Sequence, residues 1–175
     1  MTDAPDADGP ASDYRRLDPL DFRAALGAFA TGVTVIAAAL PDGRRAGLTV
    51  NSFASVSLAP PLVLWSLSLH SQSLTIFQEA SHFAVNVLGR HQADLALKFA
   101  RGGVDRFAGV AQTAGLGGAP LIADCVARFE CRNAMRHYGG DHVIFLGAVE
   151  AYAHDARPPL LFSRGKFGGF APDGA

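Results

Sequence analysis

Charged side chains are scarce in this sequence, and neither sign is in excess. Asp, Glu, Lys and Arg make up 18% of the 175 residues, and 15 basic against 16 acidic side chains give a net charge of −1. A protein that binds the phosphates of a nucleic acid needs a basic surface, so the composition argues against a nucleic-acid-binding protein. Because 49% of the residues are hydrophobic, the composition instead fits a globular chain that buries extra surface against a partner subunit.

Metal-binding and redox patterns are also lacking. The two cysteines, Cys125 and Cys131, are separated by five residues, a spacing that fits neither a zinc knuckle nor a C-x-x-C redox pair. None of the six histidines takes part in H-E-x-x-H or another metal-binding spacing. We therefore expect free, buried thiols and no bound metal.

Long apolar runs and several common motifs are absent as well. No uncharged stretch reaches the length that spans a bilayer. The first residues carry Asp3, Asp6 and Asp8 where a signal peptide would carry basic and then apolar residues, so we expect a cytoplasmic protein. There is no G-x-G-x-x-G between a strand and a helix, no P-loop and no G-x-S-x-G, which argues against a Rossmann site and a serine hydrolase.

The length favours one domain. Residues 1–16, rich in Asp, Ala, Pro and Gly, are predicted to be a disordered tail, and 17–175 the folded domain. Short strands separated by turn signals dominate that domain. The predicted strands are 34–40, 46–58, 62–69, 83–88, 124–135 and 143–152, the predicted helices are 73–79 and 91–100, and 102–120 is predicted to be a loop. This pattern predicts a mainly β fold with short helices, an antiparallel barrel with helices at its ends.

One further helix is predicted to open the domain. Asp18 followed by Pro19 is typical of an N-cap and the first helical position, and Asp21 places a negative charge in the first turn, where it suits the helix dipole. We expect this helix to turn Leu26 and Phe29 towards the core. The end of the helix is predicted at Gly32.

Small uncharged polar side chains recur along the predicted strand 46–58. Hydroxyls and amides in an otherwise apolar strand either satisfy nearby backbone groups or serve a neutral polar ligand. We favour the ligand. The side chains concerned are Thr49, Asn51, Ser52, Ser55 and Ser57.

Five segments of the sequence resemble a known family. They are G-L-T-V-N-S-F-A-S-V-S-L-A-P-P-L-V, F-A-V-N-V-L, D-R-F-A-G-V, G-D-H-V-I-F-L-G-A-V and P-L-L-F-S-R-G-K-F-G. Over residues 20–170 the sequence resembles the short-chain flavin reductases, which are the reductase components of two-component flavin-dependent monooxygenases. The resemblance implies an FMN-binding split β-barrel, Greek-key-like and antiparallel, that works as a homodimer. It also implies that FMN or FAD is reduced with NADH or NADPH and passed to a separate monooxygenase.

The resemblance places the flavin ring on the polar strand and the flavin phosphate at the start of the helix 73–79. Hydroxyls at a helix N-terminus suit an anion. The implied flavin contacts are Thr49, Val50, Asn51, Ser52, Ser55 and Ser57 for the ring, Ser71, Gln72, Ser73 and Thr75 for the phosphate, and Asn86, Arg106 and Phe107 beside them.

Structural roles stay open for several of these residues. Ser73 is equally suited to be a plain N-cap. Asn86 serves either the backbone or the flavin. Arg106 lies either beside the flavin or in an ion pair with Asp105. Phe107 either covers the flavin ring or anchors its loop.

A histidine in the G-D-H segment, His142, is implied to position the nicotinamide, although a lone strand histidine is more often structural. Asp141 is expected to orient its ring. The resemblance suggests that Arg164, Lys166 and Phe167 also help to place the pyridine nucleotide, while the two basic side chains fit a solvated surface equally well. Because hydride transfer to a flavin needs no protein nucleophile, we expect His142 to position rather than to act as an indispensable base.

The residues leave two other functions open. One is a split-barrel flavoprotein that holds FMN tightly and acts on another substrate, and the other is a flavin-binding module without turnover. The choice between FMN and FAD and between NADH and NADPH is also left open.

Overall fold

The computed structural model describes residues 17–101, 103 and 105–171. The predicted tail, 1–16, lies outside the described residues. The predicted elements agree with the structure to within a few residues at most ends, whereas five short strands, 31–32, 112–114, 120–122, 160–163 and 166–169, were not predicted. The helices are α1 (Pro19–Leu26), α2 (Leu74–Glu79) and α3 (Ala93–Ala100), and the strands are β1 (Thr31–Gly32), β2 (Thr34–Ala39), β3 (Arg45–Val50), β4 (Ala54–Leu58), β5 (Pro61–Ser68), β6 (His82–Val87), β7 (Gln112–Ala114), β8 (Pro120–Ile122), β9 (Ala127–Gly139), β10 (His142–His154), β11 (Leu160–Ser163) and β12 (Lys166–Gly169).

A seven-stranded antiparallel sheet forms the body of the domain, in the order β3-β2-β6-β9-β10-β5-β4. The sheet is rolled around one core, because side chains from strands far apart in this order meet inside it. Trp65 on β5 packs edge-on against Phe83 of β6 at 5.8 Å, although β9 and β10 lie between these strands, and it also stacks on Phe145 of the neighbouring β10 at 4.7 Å. The mainly β, antiparallel architecture predicted from the sequence is confirmed.

The stretch 46–58 is two strands, and the prediction of one continuous strand is wrong. β3 pairs with β2 at one end of the sheet, whereas β4 pairs with β5 at the other. The chain therefore has to leave the ladder at 51–53 to reach the opposite end. Ser52 stabilises this crossing, since its Oγ accepts from Ser66 N at 3.0 Å and lies 3.3 Å from Ser66 O.

Helix α1 starts as predicted but lies on the surface. Asp18 caps it by accepting a hydrogen bond from Leu20 N at 2.9 Å. The helix ends at Leu26, with Gly27 as its C-cap, so the predicted end at Gly32 is wrong. The expected core positions are wrong too, because Leu26 is 60% and Phe29 77% exposed. The core inside the rolled sheet is filled by side chains of the strands and of α2, and none of its residues comes from α1.

A second, smaller core holds α3 and the following loop against the sheet. Phe99 of α3 is fully buried and meets Phe107 edge-on at 5.0 Å. Both rings lie over Gly47 of β3, where an added Cβ would come within 2.6 Å of each ring. Part of the predicted loop 102–120 is regular, since β7 pairs with β8. This packing places the residues after α3 beside the start of β3.

Candidate functional site

One cleft lies where three separate segments meet: the start of β3, the connection from β5 to α2, and the loop after α3. It encloses about 710 Å³. We call it the arginine cleft. Its lining residues are Arg45, Ala46, Gly47, His70, Ser71, Gln72, Ser73, Gly103, Asp105, Arg106 and Phe107. The structure thus brings together five of the residues implied as flavin contacts, namely Ser71, Gln72, Ser73, Arg106 and Phe107.

Two arginines provide the positive charge of the cleft. Arg106 donates from Nη1 to the Gly47 carbonyl at 2.7 Å, which fixes its side chain along the outer edge of β3. Arg45 lies over the Phe107 ring with Cζ 4.7 Å from the centroid, and its Nη2 is 3.2 Å from Asp105 Oδ1. The ion pair that the sequence left open for Arg106 is formed by Arg45 instead.

Hydroxyl groups line the opposite wall. Ser71 Oγ accepts from Ser73 N at 3.2 Å. Ser73 occupies the N-cap position of α2 without a side-chain capping hydrogen bond, so the plain N-cap alternative is not realised. Thr75 is exposed and does not line the cleft, because it lies beyond the first residue of the helix. Its predicted phosphate contact is not supported by this geometry.

Phe107 anchors its loop. The ring is 5% exposed, and its surroundings are Phe99 at its edge and the Arg45 guanidinium on its face. Its backbone N–H donates to Asp105 Oδ1 at 3.0 Å. Of the two roles left open by the sequence, the contacts fit anchoring.

A second cavity of about 240 Å³ lies at the other end of β3, between that strand, α3 and the β11–β12 hairpin. We call it the β3 slot. It is largely apolar, and the rings of Phe162 and Phe167 pack at 5.7 Å on one side. Thr49 donates its hydroxyl proton to the Ala96 carbonyl at 2.6 Å. The lining residues are Val33, Thr49, Val50, Asn51, Leu97, Ala100, Phe162 and Phe167.

Asn86 bonds to the backbone, which is one of the two roles that the sequence left open for it. Its side chain is fully buried. The Nδ2 group donates to the carbonyls of Val35 and Pro120, both at 3.2 Å, while Oδ1 accepts from Ile122 N at 2.8 Å. Since the amide is buried and bonded at both ends, it has no surface to offer a ligand.

Three serines of the polar strand also lie outside both cavities. Ser52 is engaged with the Ser66 backbone. Ser55 and Ser57 are on β4, which runs at the opposite end of the sheet from β3. Their implied ring contacts are therefore not brought together with Thr49 and Asn51 in this chain.

His142 opens β10 beside the arginine cleft. Its Nδ1 is 2.7 Å from Asp141 Oδ1, the orienting contact expected from the sequence. This hydrogen bond lowers the pKa of Asp141. The Asp141 carbonyl accepts from Leu69 N at 2.9 Å, which ties the G-D-H turn to the residue before His70. The His142 side chain is 46% exposed and lines neither cavity.

The basic residues near the C-terminus lie apart from the arginine cleft. Arg164 adopts a positive φ of 49° in the turn between β11 and β12, and its N–H donates to the Gly27 carbonyl at 2.8 Å. Lys166 is exposed. Phe167, by contrast, lines the β3 slot with Thr49 and Asn51.

Six lining residues of the arginine cleft were not predicted as site residues, and Arg45 and His70 are two of them. Arg45 follows a turn signal and is one of two adjacent arginines, which makes a surface position the ordinary expectation. His70 immediately precedes Ser71, so its place at the start of the predicted phosphate-binding segment was the available signal.

No helix in the described part of the chain has the length and apolar character needed to cross a membrane.

Comparison with known proteins gives consistent matches over nearly the whole chain. The family model for the flavin reductase-like domain matches residues 26–171. The chain is 50% identical to the FMN reductase (NADH) SmoA of Agrobacterium fabrum over 150 residues, which are 86% of this chain and 85% of that protein. It is 38% identical to HsaB of Mycobacterium tuberculosis, a flavin-dependent monooxygenase reductase subunit, over 90% of this chain and 86% of HsaB.

Among solved structures, the Streptomyces globisporus NADH:FAD oxidoreductase SgcE6, in complex with NAD and FAD fragments, superposes with a TM-score of 0.85. The two sequences are 42% identical, and the match covers 90% of this chain and 96% of SgcE6.

Proposed function

The chain belongs to the flavin reductase-like domain family, and from this membership we propose that it is an NAD(P)H:flavin oxidoreductase that supplies reduced FMN or FAD to a separate monooxygenase. The names of its relatives support this assignment, since they include an NADH-dependent FMN reductase and a monooxygenase reductase subunit. The domain extends over 17–175. The enzyme is cytoplasmic, where reduced pyridine nucleotides are available.

The observation that carries the proposal is the pair of cavities at the two ends of β3. Arg45 and Arg106, with the hydroxyls of Ser71 and Ser73, give the arginine cleft the donors that a phosphate group requires. The β3 slot has apolar walls and a few polar groups, which suit a flat ring with one polar edge. Only Leu48 lies between Gly47 of the cleft and Thr49 of the slot, and the strand rises about 13 Å from Arg45 to Thr49.

This arrangement fits a flavin nucleotide, in which a ribityl chain joins the ring to the phosphate. Thr49, Val50 and Asn51 hold the ring, with Phe167 on the other wall of the slot. Ser71, Ser73 and Arg106 hold the phosphate, as the sequence resemblance implies, and Arg45 joins them.

A flavin held there supplies the chemistry, because its ring accepts a hydride from a nicotinamide. The chain itself needs no nucleophile or metal for this reaction; it binds and orients the reactants and limits access of water. His142 positions the nicotinamide. Its Nδ1 is directed at Asp141 at 2.7 Å, which leaves Nε2 as the ring nitrogen available to a substrate.

We also assign a homodimer. Helix α1 has no buried residue, and apolar side chains on it and just after it are largely exposed. Exposed apolar groups clustered in this way mark an association surface. The residues concerned are Leu20, Phe22, Leu26 and Phe29, which are 50% to 77% exposed.

The deciding experiment measures NADH and NADPH oxidation by the purified chain without flavin and with FMN, FAD or riboflavin. Turnover that requires added flavin establishes a reductase of diffusible flavin and ranks the flavins and the nucleotides. Turnover without added flavin indicates a tightly held FMN and another final acceptor. If neither nucleotide is oxidised while FMN still binds, the chain is a flavin-binding module and the proposal fails.

A further inference from the structure

A carboxylate lies inside the cleft that has to bind a phosphate. We propose that Asp105 competes with the flavin phosphate for Arg45, so that the nucleotide is held weakly enough to exchange. This inference rests on the proposed function, because it assumes that the arginine cleft takes the phosphate of FMN or FAD.

Asp105 is fixed in its competing position. Its Oδ1 accepts from Phe107 N at 3.0 Å, and Phe107 is anchored in the second core. The same carboxylate faces Arg45 Nη2 with its two oxygens at 3.2 and 3.4 Å. Because the carboxylate is tied to the backbone two residues ahead, it does not swing freely out of the cleft.

Arg45 is equally well placed to exchange partners. Its guanidinium rests on the Phe107 ring at 4.7 Å, which holds it at the wall of the cleft whichever anion it contacts. The pair is half-exposed, with 40% of the Arg45 side chain and 51% of the Asp105 side chain open to solvent. A phosphate entering the cleft can therefore reach the remaining N–H groups of the guanidinium fork.

The charges that line the cleft indicate that Asp105 weakens phosphate binding. In the arginine cleft Arg45 and Arg106 carry two positive charges, and Asp105 is the one carboxylate among its lining residues. Arg106 already donates one N–H to the Gly47 carbonyl. Removing the carboxylate frees Arg45 and also removes repulsion of the incoming phosphate. A reductase that must release reduced flavin benefits from this lower affinity for the flavin phosphate.

The test uses Asp105→Asn, because the amide oxygen still accepts from Phe107 N while the charge is lost. The readout is the dissociation constant of FMN, FAD and riboflavin, measured by flavin fluorescence without NADH, together with the KM of each flavin. We expect FMN and FAD to bind about fivefold more tightly, since the groups are partly solvent-screened. Riboflavin, which has no phosphate, should bind as it does to the unchanged protein.

Two further variants separate competition from a general charge effect. In an Arg45→Gln background, Asp105→Asn should change FMN affinity by less than about twofold, because the contested guanidinium is gone. Asp94→Asn removes an exposed carboxylate from the neighbouring surface, outside the arginine cleft, and should leave all three dissociation constants unchanged.

The proposal is overturned if Asp105→Asn leaves FMN affinity unchanged or lowers it. It is also overturned if riboflavin affinity rises as much as FMN affinity, since that result indicates a rearranged loop. These binding measurements are independent of turnover, so a chain that binds FMN but does not oxidise NADH refutes the proposed function without deciding the role of Asp105.

Discussion

Gly47 leaves the space that the ring of Phe107 occupies. A Cβ at residue 47 would lie 2.6 Å from Phe107 Cζ and 2.6 Å from Phe99 Cε1, well inside van der Waals contact. The close approach of β3, α3 and the loop after α3 therefore depends on the missing side chain. The same contact keeps Arg106 within 2.7 Å of the Gly47 carbonyl, so packing and the arginine cleft are coupled at one residue.

We expect Gly47→Ala to destabilise the fold by about 1–3 kcal/mol, because two buried rings must shift. FMN affinity should fall as well, since the shifted loop carries Arg106. Urea unfolding and flavin fluorescence measure the two effects. Gly32→Ala is the matched control, because no atom lies within 4 Å of its added Cβ. Equal stability of the two variants would contradict this account of Gly47.

Asn86→Leu should destabilise the protein by about 2–4 kcal/mol, although the side chains are similar in size. The substitution leaves the carbonyls of Val35 and Pro120 and the N–H of Ile122 without their side-chain partner in a buried site. Flavin affinity of the folded protein should stay unchanged. Thr113→Ala on the adjacent β7, which is exposed, is the control. A loss of FMN binding without a loss of stability would restore the flavin contact implied by the sequence.

Local chemistry was predictable from the sequence, and distant partners were not. Asp18 and Pro19 were sufficient to place the start of α1, because capping involves neighbours in the chain. The apolar character of Leu26 and Phe29 indicated burial, but a sequence does not say whether the covering surface belongs to the same chain.

Two further features of the site depend on pairing across the fold. The stretch 46–58 contains neither a charged residue nor a proline, so only the strand partners reveal that it divides at 51–53. Asp105 is adjacent to Arg106 but pairs with Arg45, sixty residues away in the chain. Asn86 shows the same limit, because a buried amide that bridges the backbone and one that binds a ligand have the same sequence signature.

Both cysteines should be unreactive in the folded protein at neutral pH. Burial raises the pKa of Cys125 from 9.0 to about 11 and that of Cys131 to about 12, and the nucleophile is the thiolate. Ellman's reagent should therefore detect no thiol in the native protein and both in urea. Rapid reaction of either thiol in the native state would contradict the burial that the structure gives them.

The same pKa shifts predict a loss of stability in alkali. The unfolded thiols ionise near pH 9, whereas the folded ones remain neutral to about pH 11. The unfolded state thus releases protons first, and the free energy of unfolding falls as the pH rises through that window. The difference between the unchanged protein and a Cys125→Ala/Cys131→Ala variant isolates this contribution, because other groups titrate equally in both.

Leu26→Asp should convert the proposed homodimer to a monomer if α1 forms the subunit contact. Leu26 is 60% exposed in the chain, so the new charge is tolerated by the monomer and opposed only by an apolar partner surface. Size-exclusion chromatography with light scattering gives the mass. Leu116→Asp, on another exposed apolar residue away from the helix, is the control. A dimer that survives Leu26→Asp but not Leu116→Asp would place the interface elsewhere.

His142→Ala should impair the use of NADH more than the binding of flavin. We expect the KM for NADH to rise about tenfold and the dissociation constant of FMN to change by less than about twofold, because the residue lies outside both cavities of the proposed flavin site. Asp141→Asn should give a smaller rise, since it weakens the 2.7 Å contact that orients the ring but keeps the imidazole. Steady-state kinetics at saturating FMN measure the first effect and flavin fluorescence the second.

Two further variants decide whether His142 positions the nicotinamide or only supports its turn. His142→Asn keeps a donor near the position of Nδ1 and should preserve the turn, so a raised KM in a stable variant points to the lost Nε2. His137→Ala removes an exposed histidine from the same β9–β10 hairpin and should leave KM unchanged. Unchanged NADH kinetics in His142→Ala would exclude His142 from the nicotinamide site. A parallel loss of FMN binding would do the same, because a residue that contacts only the nicotinamide should change the KM for NADH without changing the dissociation constant of FMN.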